Sequence, residues 1–260
     1  MVRGPCQQCP LIYGLQKEPH TLTLIISEAA LETVPKGIRS HPSVIRHAER
    51  LGAKPAETLL DRSYHHAAMK TLTRAERRGR PDIVHFALME ALSTPLFFDD
   101  MISTYVHTAG DKVIKIAKGL RIPKSYFRFE GLMMDLFRSG LVKSSDGRVL
   151  MELSEMTLEQ LLRSIKPDKT VGLTVSGVPS TAEQVAKSFA QMSTAFLIGG
   201  FPRGHFSETT TSLLNHAYSI NPLSLEAHVV IARLLYECEM RLLEGGVHHE
   251  SYKQGGQVGA

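Results

Sequence analysis

Apolar residues run almost unbroken from Thr21 to Ser27 (TLTLIIS), which predicts a buried strand. Pro42 to Leu51 reads as a helix with proline in its first turn. Leu59–Leu72 carries apolar or small residues at helical spacing around Tyr64, His65 and His66. The loop Arg77-Arg78-Gly79-Arg80 follows, and Pro81-Asp82 opens an amphipathic helix through Leu92. Thr104–Thr108 and Lys112–Ile116 predict two strands joined by the turn Ala109-Gly110-Asp111. Beyond the loop Arg121-Ile122-Pro123-Lys124, Phe129–Ser139 predicts another helix.

The second half alternates more regularly. Val149–Leu153, Thr170–Ser176, Ala195–Ile198 and His216–Ile220 read as strands. Thr157–Ile165 and Ala182–Met192 read as helices, the latter behind a capping-box pattern at Ser180 and Glu183. Ser224 can cap a long final helix, Leu225 to about Leu243, and the polar, glycine-rich stretch from Gly245 to Ala260 predicts a flexible tail. Strands alternating with helices predict an α/β fold with a parallel-rich sheet and helices on both faces. No internal repeat is present.

Composition narrows the class. The chain has 260 residues and is 43% hydrophobic, enough for a sizeable core. No apolar run approaches a membrane span, and the N-terminal MVRGPCQQCPLIYG is broken by Pro10 and Gly14, unlike a signal peptide. These features predict a soluble intracellular protein. The three cysteines have no disulfide-framework spacing. Cys6 and Cys9 form a CxxC pair without the second pair that a structural zinc site needs, so residues 1–20 read as an N-terminal arm. Net charge is +4 but uneven: residues 36–143 hold 19 Lys and Arg against 11 Asp and Glu, whereas the flanking segments are slightly acidic. A basic region inside a nearly neutral chain suits either a polyanion-binding face or a well-solvated helix surface.

Three clusters carry candidate chemistry. Gly199, Gly200 and Gly204 follow an apolar strand, where glycines admit a close ligand. This is neither a dinucleotide fingerprint nor a P-loop, and the spacing fits a tight turn as well as a cofactor loop. Tyr218-Ser219-Ile220-Asn221-Pro222-Leu223 is a second loop, whose apolar side chains and backbone groups suit an adenine ring or an ordinary strand–helix connection. Arg80 and Asp82 flank Pro81 at a helix start, where backbone N–H groups favour anions. Arg121, Lys124 and Arg128 alternate with Ile122, Tyr126, Phe127 and Phe129, a mixture suited to an RNA backbone with splayed bases. Adjacent His65 and His66 point different ways on a helix, so no metal site is expected there. No GxSxG is present, and Cys238 on its apolar stretch reads as core.

Together these segments resemble the nucleolar-essential, mitotic-growth family of SPOUT methyltransferases. The matching residues are Leu59-Leu60-Asp61 with His65, Arg77 through Phe86 (RRGRPDIVHF), Ser93-Thr94-Pro95-Leu96, Tyr105-Val106-His107-Thr108, Arg121-Ile122-Pro123-Lys124 with Arg128-Phe129 and Gly131-Leu132-Met133, and Ile198 through Gly204 (IGGFPRG). The likeness runs in order from about Thr21 to Leu243. It implies a single SPOUT domain over 21–244, with RNA-binding elements within 60–145 and a deep trefoil knot and cofactor site within 170–244. It also implies a homodimer, S-adenosylmethionine as methyl donor with S-adenosylhomocysteine as product, and no metal. The implied activity is methylation of N1 of a pseudouridine in a small-subunit rRNA hairpin, with a part in subunit assembly beside ribosomal assembly proteins. The implied location is the cytoplasm for an archaeal-type member and the nucleolus for a eukaryotic one. By position, cofactor contacts carry over to Thr174, Gly199, Gly200, Gly204 and Tyr218 through Leu223, and RNA contacts to Arg80, Arg121, Lys124 and Arg128. Arg80 and Asp82 are the expected catalytic pair. The readings to be separated from this one are another SPOUT chemistry, ribose 2′-O or guanine N1, and an RNA-binding assembly factor whose catalysis is secondary or lost.

Overall fold

The computed structural model describes residues 22–189 and 192–244; Cys6, Cys9 and the expected tail from Gly245 lie outside them. Its strands are β1 (Leu22–Ala29), β2 (Ile102–Thr108), β3 (Lys112–Ile116), β4 (Leu141–Lys143), β5 (Val149–Glu155), β6 (Lys169–Pro179), β7 (Thr194–Gly199) and β8 (His216–Ser219). Its helices are α1 (Pro42–Leu51), α2 (Arg62–Met69), α3 (Pro81–Ala91), α4 (Pro95–Phe98), α5 (Tyr126–Ser139), α6 (Leu158–Ile165), α7 (Ala182–Phe189), α8 (Glu208–Ser212) and α9 (Ala227–Glu244). The strands form one sheet in the order β4-β5-β3-β2-β1-β7-β6-β8. The run from β2 through β1, β7 and β6 to β8 is parallel, and β3, β5 and β4 add an antiparallel flank.

Both faces of the central strands are covered, which is why β1 and β7 are apolar without alternation. Leu24 and Ile26 of β1, with Phe196 and Ile198 of β7, join the larger core beneath α3, α5, α7 and α9. Ile25, Ala195 and Leu197 face the other way, against Leu158, Leu161 and Leu162 of α6. A third cluster, Val34, Ile38, Val44, Leu60, Ala68 and Met69, fixes α1 and α2. Cys238 is buried in the larger core, and burial pushes its thiol up to about 12. Among the described residues no helix is long and apolar enough to cross a membrane.

Local signals place most helix ends, and tertiary contacts move the rest. Pro42 opens α1, and Gly52 ends it at φ 63°. At α6, the Thr157 side chain accepts from Gln160 N–H while Gln160 answers to Thr157 N–H, a complete capping box. The helix expected over Leu59–Leu72 shortens to α2 because Asp61 caps it, accepting from Ser63 N–H at 2.7 Å. Helix α5 begins at Tyr126, three residues ahead of expectation. The cap of α7 sits one residue later than the expected Ser180–Glu183 box: Gln184 N–H donates to Thr181 Oγ1 at 3.1 Å, and Thr181 N–H to Gln184 Oε1 at 3.3 Å. Helix α9 begins at Ala227 and not Leu225, since the residues before it line a cavity. The short elements β4, α4 and α8 were not predicted.

Candidate functional site

A cavity of about 190 Å³ lies beyond the carboxyl ends of β7 and β8 and beside the middle of β6; strand carboxyl ends are the place where open α/β sheets bind ligands. Leu173 and Thr174 of β6, Ile198 and Gly199 of β7, and Ser219 and Ile220 after β8 supply its floor, with Asn221, Leu223 and the approach to α9 beside them. Seven of the ten expected cofactor positions therefore line one space: Thr174, Gly199, Gly204, Ser219, Ile220, Asn221 and Leu223. Gly200, Tyr218 and Pro222 do not. Strand parity turns the Tyr218 ring toward Phe189 and His216, opposite to Ser219. Gly200 packs on β1 instead, where a Cβ would stand 2.8 Å from the Ala29 Cα. Pro222 is exposed. The second loop holds its own shape: Ser219 Oγ donates to the Asn221 carbonyl at 2.9 Å, and Leu223 N–H to Asn221 Oδ1 at 2.9 Å.

The glycine loop is clamped by two residues to which sequence reasoning gave no role in the site. Glu28 holds a left-handed φ of 52°, sparsely populated for a residue with a side chain. Its Oε1 accepts from Ser207 N–H and Ser207 Oγ, both at 2.8 Å, and its Oε2 accepts from Arg77 Nη2 at 2.8 Å. Arg77 donates from Nη1 to the His205 carbonyl at 2.6 Å and lies 3.9 Å over the Phe201 ring. Gly204, inside this loop, takes φ +88°, a backbone conformation that glycine adopts without cost. The signal for Glu28 spans 179 residues of sequence, so no local pattern reveals it.

Arg80 reaches the same cavity from the other side. Its N–H donates to the Ala30 carbonyl at 3.1 Å, tying the segment to the end of β1. Neighbouring Arg78 forms a two-pronged pair with Glu32 at 2.8 and 2.6 Å. The Arg80 guanidinium grips Asp82 through Nε and Nη2, both at 2.8 Å. That hydrogen bond holds Arg80 above its ordinary value, so it stays cationic. Nη1 is left without a partner among the described residues. Asp82 itself does not line the cavity; both its oxygens are engaged by Arg80.

Arg121, Lys124 and Arg128 are exposed, and none has a salt-bridge partner among the described residues. Arg121 and Lys124 belong to a loop and Arg128 to the first turn of α5, and this segment is held from below. His85 Nε2 donates to the Pro123 carbonyl at 2.7 Å, and Tyr126 OH donates to Asp61. Behind Asp61 runs a buried polar chain. Asp61 N–H donates to His65 Nδ1, so His65 carries its proton on Nε2 and donates to His47 Nδ1 at 3.1 Å. The chain ends there: His47 Nε2 and Glu130 Oε1 stand 3.4 Å apart, both buried and neither hydrogen-bonded among the described residues. Burial lowers His47 to about 4 and raises Glu130 to about 7, which keeps the histidine neutral near pH 7. The stabilisation from Glu130 is complete below 4.5 and is lost as pH rises through about 7; that from His47 is lost as pH falls from 6.5 through about 4. These opposed slopes nearly cancel. Glu130→Gln removes one of them, so its stability should fall between pH 6.5 and 4 by roughly 1–3 kcal/mol more than wild type does. Thermal melts across that range check this.

No group of three or more His, Cys, Asp or Glu among the described residues is placed to hold a metal ion.

A cavity at the carboxyl ends of parallel strands, walled by a glycine loop and an arginine-bearing helix start, defines an α/β protein of the ligand-cleft class. Over residues 24–239 the chain matches the EMG1/NEP1 methyltransferase family, and it belongs to that family. It is 38% identical over 223 residues to the protein named Ribosomal RNA small subunit methyltransferase Nep1 of Staphylothermus marinus, covering 86% of this chain and 96% of that one. The protein of the same name from Saccharolobus solfataricus is 37% identical over 217 residues, 84% of this chain and 96% of that one. The crystal structure of Archaeoglobus fulgidus Nep1 bound to S-adenosylhomocysteine matches with a TM-score of 0.75 at 33% identity, over 86% of this chain and 98% of that one.

Proposed function

We propose that the protein transfers a methyl group from S-adenosylmethionine to N1 of a pseudouridine in small-subunit rRNA. The observation that carries this reading is the position of Arg80, which walls the same cavity as Thr174, Gly199, Gly204 and Ser219 through Asn221. A charged donor thereby meets a nucleoside-sized space. Transfer of labelled methyl to a hairpin containing pseudouridine tests it.

The cavity suits the cofactor. Leu173, Ile198, Ile220, Leu225 and Val230 offer apolar walls to an adenine, while Thr174, Ser219, Asn221 and Glu226 add polar groups. Bound there, S-adenosylmethionine supplies an electrophilic methyl. The bond from sulfur to methyl breaks as the bond from N1 to methyl forms, and the N1 proton leaves to solvent. The chain's own work is positioning and charge stabilisation. Arg80 donates from its free Nη1 to a carbonyl of the base as negative charge grows there, and Asp82 is a positioning residue that locks the guanidinium. Exposed Arg121, Lys124 and Arg128 hold phosphates beside the target.

Glu28 holds the cofactor loop shut, in this reading. Glu28→Ala removes three charge-assisted hydrogen bonds and leaves Arg77 unpaired. S-adenosylhomocysteine affinity should fall by roughly thirtyfold, about 2 kcal/mol, in calorimetry. Unchanged affinity would remove Glu28 from the site.

The knot and the homodimer belong to the same proposal. Tyr218 of β8 pairs with both Leu173 and Val178 of β6, so four residues of β6 leave the ladder between them; such a detour gives room for a threaded segment ahead of α9. On α9, Val229, Ala232, Tyr236 and Met240 form a partly uncovered stripe at helical spacing, with Tyr236 60% exposed. A second copy of the chain would bury it.

A further inference from the structure

Three aromatic residues stand between Lys124 and Glu130, and the fold gives each a different place. Phe129 is fully buried, with its ring stacked on His85 at 4.5 Å. Tyr126 turns inward and donates to Asp61. Phe127 turns outward and is 67% exposed. The cations of its segment, Arg121, Lys124 and Arg128, are all exposed, while the nearby carboxylates of Asp61 and Asp82 are engaged by Tyr126 and Arg80. The acid two turns along the same helix face, Asp135, is taken by Arg138. One turn beyond Phe127 stands Gly131, where a Cβ would meet nothing within 4 Å, so no side chain covers the ring from that direction. The mount is firm. Anchors at Pro123 and Tyr126 bracket Lys124 and Ser125, and Phe127 sits in the first turn of a helix of 14 residues.

A lone exposed phenylalanine is ordinary. One held rigidly among three cations without acidic partners is matched to an aromatic ligand that carries negative charge. A nucleotide has both, a flat base for the ring and a phosphate for the cations. An apolar protein partner would leave three cations unanswered at its rim.

We propose that Phe127 is a stacking platform for one unpaired base of the RNA substrate, next to the pseudouridine. This rests on the rRNA-methyltransferase reading above, and names a contact within it.

The test uses the full chain and a pseudouridine hairpin with 2-aminopurine placed at each loop position in turn. Fluorescence at one position should be quenched on binding to wild type and should recover in the complex with Phe127→Ala. Hairpin affinity should fall about tenfold in Phe127→Ala, the scale of one base–aromatic stack. The slope of log affinity against log salt should not change, because no phosphate contact is lost. Phe127→Trp should restore both quenching and affinity. Arg121→Ala should behave oppositely, lowering the salt slope while the quenching persists. Unchanged S-adenosylhomocysteine binding shows that each variant is folded. The platform is overturned if Phe127→Ala binds and quenches like wild type, or if Phe127→Trp is no better than alanine. It is also overturned if Phe127→Ala alters only the sedimentation of the protein, which would make the ring a protein contact. Wild type that binds and quenches the hairpin but transfers no methyl sinks the enzymatic reading and leaves the platform standing.

Discussion

Gly177→Ala should cost this protein its candidate cofactor cavity and much of its stability. A Cβ at residue 177 would lie 2.5 Å from the Tyr218 carbonyl carbon, 2.6 Å from the Tyr218 nitrogen and 2.7 Å from the Ala217 carbonyl carbon. All three are backbone atoms of β8, so no side chain can swing aside. Strands β6 and β8 would have to separate, and both line the cavity through Leu173, Thr174 and Ser219. Overpacking of this kind costs about 3 kcal/mol or more. Gly131→Ala is the matched control: that position is open and helical, so alanine should stabilise by about 0.5–1 kcal/mol. Thermal melts with S-adenosylhomocysteine calorimetry separate the two. A Gly177→Ala protein with wild-type melting and wild-type affinity would show that β6 and β8 do not cross so closely.

Gly177 also marks the boundary of what the sequence makes legible. Strand β6 was expected to stop at Ser176, yet it runs to Pro179 because β8 returns to pair beyond the detour. Nothing local in VGLTVSGVP encodes that return. The strands buried on both faces were legible, since their apolar runs follow from burial alone. The start of α3 was legible as well: Pro81 has no N–H to lose, and Asp82 favours the first turn. Periodicity could not show that Leu223 through Glu226 stay irregular. Ser224 is a good cap by type, but the segment is drawn along the cavity wall and α9 starts late.

The candidate site divides in the same way. Motif likeness placed Thr174, Gly199, Gly204 and Ser219 together, and all four line one cavity: Gly199 and Ser219 end their strands, Gly204 lies in the loop after β7, and Thr174 stands where β6 leaves its ladder with β8. Tyr218 and Gly200 lie outside that lining, because strand parity and close packing decide which way a residue faces. Motif likeness missed Glu28, whose importance comes from meeting Ser207 and Arg77 in space. Charge counting also misled in part. Three arginines of the RRGR segment are spent on Glu28, Glu32 and Asp82, whereas Arg121, Lys124 and Arg128, further along, have no salt-bridge partner among the described residues.

Acceptor chemistry gives the other large expected effect. Labelled methyl should pass to a hairpin containing pseudouridine and not, above background, to the same hairpin with uridine at that position. In pseudouridine the ribose is bonded through carbon, which leaves N1 with a hydrogen to lose; in uridine N1 is bonded to ribose and has no room for a methyl. The two hairpins should bind alike, since their phosphates and base faces hardly differ. Arg80→Ala should then lower transfer by about 10²–10³, the loss usual for one donor to a developing oxyanion, and lower hairpin affinity far less. Asp82→Asn should show a smaller loss of the same kind, because the guanidinium keeps its charge but loses the two-point grip that aims Nη1. An equal fall in transfer and affinity for Arg80→Ala would reduce it to a phosphate ligand. Transfer to the uridine hairpin at a comparable rate would move the acceptor to a ribose hydroxyl or another base atom, and the charge that Arg80 meets would then not be that of a pseudouridine losing its N1 proton.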